Sequence, residues 1–140
     1  MIKINKAPMN LLDDLYSLAY WMTGSEQAST ELVTSTYRDV KADTHQTDML
    51  KRFRKSYIDR YGQDAELDMK NKGNGSCRSI LPKLRERAAD IKLSVLLSEI
   101  PGLKHKDISV IMDKPVETIR LWLFCGRKFM INESILKASA

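Results

Sequence analysis

The stretch Gly102-Leu103-Lys104-His105-Lys106-Asp107-Ile108-Ser109-Val110-Ile111-Met112-Asp113-Lys114-Pro115-Val116-Glu117-Thr118-Ile119-Arg120 decides the reading of this chain. It spells two short helices with a tight turn between them. Ile108, Ile111 and Met112 repeat at helical spacing in the first. Asp113-Lys114-Pro115 makes the turn, because proline fixes its own φ and blocks continuation of the helix before it. Ile119 and Leu123, four apart, anchor the second helix, and Gly126 and Met130 extend its stripe. This is the pattern of a helix-turn-helix, which lays its second helix in the DNA major groove. An ordinary αα-hairpin with no DNA role has the same outline.

If the motif does read DNA, its outward positions are Glu117, Thr118, Arg120, Leu121, Phe124, Cys125 and Lys128. Glu117 and Thr118 reach base edges from the helix N-terminus, with Lys114, Val116 and Leu121 completing the DNA-facing set. Arg120, Arg127 and Lys128 hold phosphates.

Working outward, charge favours the same end of the chain. The net charge is +5. In residues 1–70, 10 Lys and Arg face 11 Asp and Glu; in residues 71–140, 13 face 7, so the second half carries +6. A basic half raises the prior for phosphate contacts, although a solvated helical surface carries charge of this size too.

Length and composition suit one ordinary domain or two small ones. Gly and Pro are scarce, which favours helices. No run approaches the ~18 apolar residues of a membrane span, and the start of the chain leads into no continuous apolar region of the signal-peptide kind. A cytoplasmic protein without membrane contact is the expectation. Cys77 and Cys125 are far apart in sequence and His45 and His105 are isolated, whereas zinc sites use about four ligands in close pairs. No metal or cofactor is expected, and the cysteines read as one loop thiol and one helix thiol. Nothing in the sequence pairs a nucleophile with a base or supplies a phosphate loop, so no catalytic residue and no enzyme activity are expected.

The remaining helices follow from periodicity. Residues 10–22 repeat Leu11, Leu12, Leu15, Leu18, Ala19 and Met22, and Thr23-Gly24 ends that helix. Ser25 caps a second helix that buries Leu32, Val33, Tyr37 and Val40. After a short polar connection at 42–47, Thr47 or Asp48 caps a third, with Leu50, Phe53, Tyr57 and Tyr61 on one stripe. The polar run Lys70-Asn71-Lys72-Gly73-Asn74-Gly75-Ser76 is the best linker. Beyond it, Pro82 suits the first turn of a long helix to about residue 99, with Leu81, Leu84, Ala88, Ile91 and Val95 inward. The reading is all-α: a helical domain at 1–62, a linker at 63–79 and a helix-turn-helix domain at 80–140.

These segments, in this order, resemble a known family. Leu81-Pro82-Lys83-Leu84-Arg85, Ile100-Pro101-Gly102-Leu103 and Lys114-Pro115-Val116-Glu117-Thr118-Ile119-Arg120 look like region 4 of bacterial RNA polymerase sigma factors, closest to the small two-domain extracytoplasmic-function type. Gly126-Arg127-Lys128 is similar to the family's small residue followed by basic ones. Leu18-Ala19-Tyr20-Trp21-Met22-Thr23-Gly24-Ser25 and Glu31-Leu32-Val33-Thr34-Ser35-Thr36-Tyr37 resemble region 2, and Lys51-Arg52-Phe53-Arg54-Lys55-Ser56-Tyr57-Ile58-Asp59 resembles its following basic and aromatic helix.

The resemblance implies a transcription initiation protein whose partners are core RNA polymerase and promoter DNA. Region 2 docks on the polymerase clamp and melts the downstream element; region 4 reads the upstream element. By position, Glu31, Thr34 and Ser35 are the polymerase-docking residues, and Lys51, Arg52, Arg54, Lys55 and Arg60 lie near the promoter strand, basic groups along the backbone and aromatics on unpaired bases. A plain basic amphipathic helix with Phe53 and Tyr57 in the core is the alternative.

The chain departs from the family in three places. Thr34-Ser35 stands where the family has Gln-Glu. The connection at 42–47 is short where the family holds a base-capturing loop. Leu121-Trp122-Leu123-Phe124-Cys125 replaces a polar stretch of the recognition helix. Apolar surface implies a partner, and Trp and Phe are favoured anchors. Leu121, Trp122, Phe124 and Cys125 are therefore candidates for a protein interface. This supports a second reading, a regulatory or interaction module on a degenerate sigma-like scaffold, with an anti-sigma factor or a second copy of the chain as partner.

Overall fold

The computed structural model of the chain describes residues 8–63, 77 and 79–130. The protein is all-α; among the described residues every regular element is helical. It divides into two compact units, Met1–Gly62 and Gln63–Ala140.

In the first unit a 3-10 turn at Pro8–Leu11 leads into α1 (Leu12–Thr23), followed by α2 (Glu26–Tyr37) and α3 (Gln46–Tyr61). The α1–α2 corner is set locally. Gly24 takes φ +70° and its N–H donates to the Tyr20 carbonyl at 2.7 Å. Ser25 then caps α2, its hydroxyl accepting from the Ala28 N–H at 3.2 Å. Leu15, Leu18, Ala19 and Met22 of α1 pack with Leu32 and Val33 of α2 and Met49, Leu50, Phe53 and Tyr57 of α3. The Tyr37 hydroxyl donates to the Pro8 carbonyl, and burial pushes the phenol's pKa up.

Two expectations are corrected here. The second helix stops at Tyr37, because Asp39 turns to φ +61°; Val40 thus leaves the helical register and is half-buried rather than core. The third helix starts at Gln46 with His45 at its cap position, so neither Thr47 nor Asp48 caps it.

The second unit contains α4 (Leu81–Arg85), α5 (Ala88–Glu99), α6 (His105–Met112) and α7 (Val116–Phe129). The single long helix expected from Pro82 onward is two. Arg87 leaves helical geometry at φ −125°, ψ 29°, and its N–H closes a turn on Leu84 instead. α5 is enclosed on all sides: residues 88–97 are buried, including Asp90, Lys92 and Ser94. A helix buried all round is the central strut of a domain, and its polar groups need partners. The Gln63 amide donates to the Asp90 carboxylate at 2.8 Å and accepts from the Asp90 N–H at 3.1 Å.

α7 packs across α5 at Gly126. A Cβ there would come within 2.8 Å of the Cγ2 methyls of both Ile91 and Val95. One residue earlier, Cys125 is bonded to Cys77, with Cα atoms 5.5 Å apart and both side chains fully buried. The reading of two unrelated thiols is therefore wrong: their separation of 48 positions in sequence is closed when α7 folds back over the unit. The linker expected at 63–79 lies mostly outside the described residues. Gln63 and Cys77 within it are tied to the second unit by Asp90 and Cys125.

Two outcomes follow for the second unit, read by Trp122 fluorescence in a Trp21→Phe background during urea unfolding. Gly126→Val overpacks the α5–α7 crossing and lowers stability by about 1–3 kcal/mol, part of which Val95→Ala in the same chain restores. Reducing the Cys77–Cys125 bridge opens a loop of that length and lowers stability by about 4 kcal/mol on the chain-entropy account. A midpoint unmoved by either change would refute the packing described.

Candidate nucleic-acid interface

The turn between α6 and α7 is held from within. Asp113 adopts the left-handed conformation at φ +55°, its N–H bonded to the Ser109 and Val110 carbonyls. The Lys114 N–H donates to the Ser109 carbonyl at 3.1 Å, and the Ser109 hydroxyl donates to the Lys114 carbonyl. Pro115 then opens α7 in an extended conformation. Two short helices leave this turn with Ile108, Ile111, Met112, Ile119 and Leu123 all in the core. The helix-turn-helix geometry follows from this turn and core.

On α7, Glu117 and Arg120 are exposed, and Val116, Thr118 and Lys128 are half-buried, as is Lys114 in the turn before it. Leu121 and Phe124 are 40% and 50% exposed. Trp122 and Cys125 are not available to a partner, contrary to expectation: they are 6% and 0% exposed. They sit on the side of α7 that meets the unit's own core, and Cys125 is spent in the disulfide. Arg127, expected on phosphate, instead binds the end of α5, to Glu99 at 3.3 Å and to the Ser98 hydroxyl at 2.8 Å.

An open groove of about 670 Å³ runs beside the motif, lined by Lys104, His105, Lys106, Val116 and Arg120 among others. Sequence reasoning did not single out Lys104, His105 and Lys106, which the fold brings to this groove. The signal was present as a basic triplet at the start of the first motif helix, which the tight turn returns to the start of the second.

In the first unit the basic residues of α3 divide. Arg52 secures the end of α2, its guanidinium donating to the carbonyls of Thr36 (3.1 Å for the former) and Arg38. Lys55 pairs with Asp59 at 2.8 Å. Arg60 reaches α2, donating to the Ser35 hydroxyl at 2.9 Å and meeting Glu31 at 3.4 Å. Glu31 and Ser35, assigned to polymerase, and Arg60, assigned to the promoter, therefore form one surface cluster. Lys51 is exposed, Arg54 half-buried and Thr34 exposed. Phe53 and Tyr57 are 0% and 3% exposed, so they are core residues and not stacking platforms. The exposed aromatics are Tyr16 and Tyr20 on α1 and Tyr61 at the end of α3. Tyr16 lines an apolar groove with Leu12, Val33 and Tyr37, and Thr34 stands on its wall. The short α2–α3 connection is closed by its own turn, the Lys41 N–H donating to the Thr44 hydroxyl and the Thr44 N–H to the Lys41 carbonyl.

Over 56 residues the chain is 34% identical to the ECF RNA polymerase sigma-E factor of Haemophilus influenzae, a stretch covering 40% of this chain and 30% of that relative's length. No protein-family model matches the chain, and no solved structure does.

Arg52 and Arg60 differ in what they hold, and their alanine variants should differ accordingly. Arg52→Ala strips partners from two carbonyls at a helix end and costs the first unit about 1–2 kcal/mol. Arg60→Ala breaks an exposed pair and costs under about 1 kcal/mol. Thermal unfolding of the two variants side by side checks the order, and equal losses would contradict it.

Proposed function

We propose that this chain is a sigma-factor-like transcription initiation protein. Its second unit binds promoter DNA through the helix-turn-helix, and its first unit binds core RNA polymerase through the α2 surface of Glu31, Thr34 and Ser35. The observation that carries the reading is the open start of α7, with Glu117 and Arg120 exposed and Thr118 half-buried beside the Lys104–Lys106 groove. Helix-turn-helix proteins use that part of the second helix for base edges, with flanking cations on phosphate. The partial likeness to a sigma-E factor supports the same reading.

The α2–α3 side of the first unit supports docking more than strand opening. Phe53 and Tyr57 are committed to the core, and the α2–α3 connection is closed on itself by the Lys41–Thr44 turn. The chain's part is binding, with the chemistry left to the polymerase. The cytoplasm is the proposed place of action. Thiol pools there keep most bridges open, so Cys77 and Cys125 would stand there as a buried thiol pair.

The competing reading, an interaction module without DNA, keeps only Leu121 and Phe124 of its anchors, since Trp122 and Cys125 face inward.

Fluorescence anisotropy on promoter-length duplexes, with and without core polymerase, separates the two. Four phosphate contacts, from Lys104, Lys106, Arg120 and Lys128, give an affinity that falls about 100-fold between about 50 and about 200 mM salt. Arg120→Ala reduces the slope of log affinity on log salt by about one. Absence of DNA binding under every one of these conditions would overturn the proposal.

A further inference from the structure

Glu117, Leu121, Phe124 and Lys128 follow one another along α7 at spacings of four, three and four, so they form one line on the outer face. The two middle members are large, apolar and 40% and 50% exposed. The ends are charged, and Arg120 flanks the line. The Lys128 ammonium sits 4.8 Å from the centroid of the Phe124 ring. That cation–π contact braces the ring and leaves it in a fixed pose.

An apolar pair inside a basic surround narrows the choice of occupant. A second copy of the chain would bring two faces of the same positive charge together, which costs affinity. The half of the chain that carries this face has 13 Lys and Arg against 7 Asp and Glu, so a polyanion is the complementary partner. Within the DNA major groove, one apolar group projects from the base edges, the C5-methyl of thymine.

We infer that Leu121 and Phe124 are specificity residues that contact thymine methyl groups, so that α7 selects a T-containing element by apolar contact rather than by hydrogen bonds alone. The inference rests on the DNA-binding reading above and sharpens it. Glu117 then stands one turn before Leu121, placed to accept from a cytosine amino group. Lys128, beyond Phe124, is placed for the backbone.

The test uses the full chain and a probe whose only change is the methyl. Tight-binding duplexes are first selected from a random pool. The winner is then resynthesised with deoxyuridine in place of thymidine, which keeps base pairing and removes the methyl groups. The wild-type chain should bind the uracil duplex about fourfold more weakly for each contacted methyl. The L121S/F124S variant, changed only on the surface and checked for fold by circular dichroism, should bind both duplexes alike while keeping the wild-type salt slope. Equal binding of the two duplexes by the wild-type chain overturns the inference and leaves the DNA-binding reading standing. A dimer in sedimentation that L121S/F124S dissolves overturns it in favour of self-association. No duplex retained from the pool overturns the DNA-binding reading itself.

Discussion

The contact between Gly126 and the Ile91 and Val95 methyls sets the rest of the second unit. A helix turns about 100° per residue, so pressing one backbone position against α5 fixes the azimuth of every other residue on α7. With Gly126 inward, Ile119, Trp122, Leu123, Cys125 and Phe129 must face the core, and all are buried. The same rotation leaves Glu117, Leu121, Phe124 and Lys128 on the opposite side. Glycine is required because the two methyls flanking it belong to β-branched side chains, which have little freedom at χ1 to retreat. The disulfide from Cys125 to Cys77 fastens the helix next to that crossing and reinforces the same phase.

In the first unit the governing constraint is the end of α2. The helix stops at Tyr37 and exposes carbonyls that need donors, and Arg52 supplies them from α3. Eight residues along, two turns further, Arg60 meets Glu31 and Ser35 on the same pair of helices. Positive charge on α3 is thus distributed between internal work and the surface. A basic helix in sequence is not a basic face in space, and only Lys51 among the exposed basic residues of α3 has no ion pair or hydrogen bond to its neighbours described above.

Much of this was legible in the chain itself. The 3.6-residue repeats located the helices, and the corners at Gly24-Ser25 and Asp113-Lys114-Pro115 were readable because each rests on chemistry local to a few residues. What escaped was non-local or two-sided. No spacing rule joins Cys77 to Cys125, since a bridge depends on where α7 returns. Nothing in the pattern of residues 81–99 marks the break at Arg87, because the apolar stripe runs through it; burial on every side of α5 then removed the periodicity that would have placed its faces. The stop at Asp39 came from an aspartate in the left-handed region, which few sequence rules foresee. Lys104, His105 and Lys106 were visible as a basic triplet, but their place beside Arg120 depends on the turn bringing two helix starts together.

The apolar run Leu121-Trp122-Leu123-Phe124-Cys125 looks incompatible with a DNA reader only while it is treated as one feature. On a helix, five consecutive residues cover the whole circumference, so the run must divide between two environments. Trp122, Leu123 and Cys125 complete the core against α5 and need no partner. Leu121 and Phe124 alone remain to be explained, and two residues are too small a patch to hold a protein partner without further contacts. They are, however, well matched to the small apolar features of a groove whose affinity comes mainly from phosphates. On the DNA-binding reading proposed above, affinity and discrimination would rest on different residues: Lys104, Lys106, Arg120 and Lys128 would hold the duplex, and the two exposed apolar side chains would decide which sequence is held.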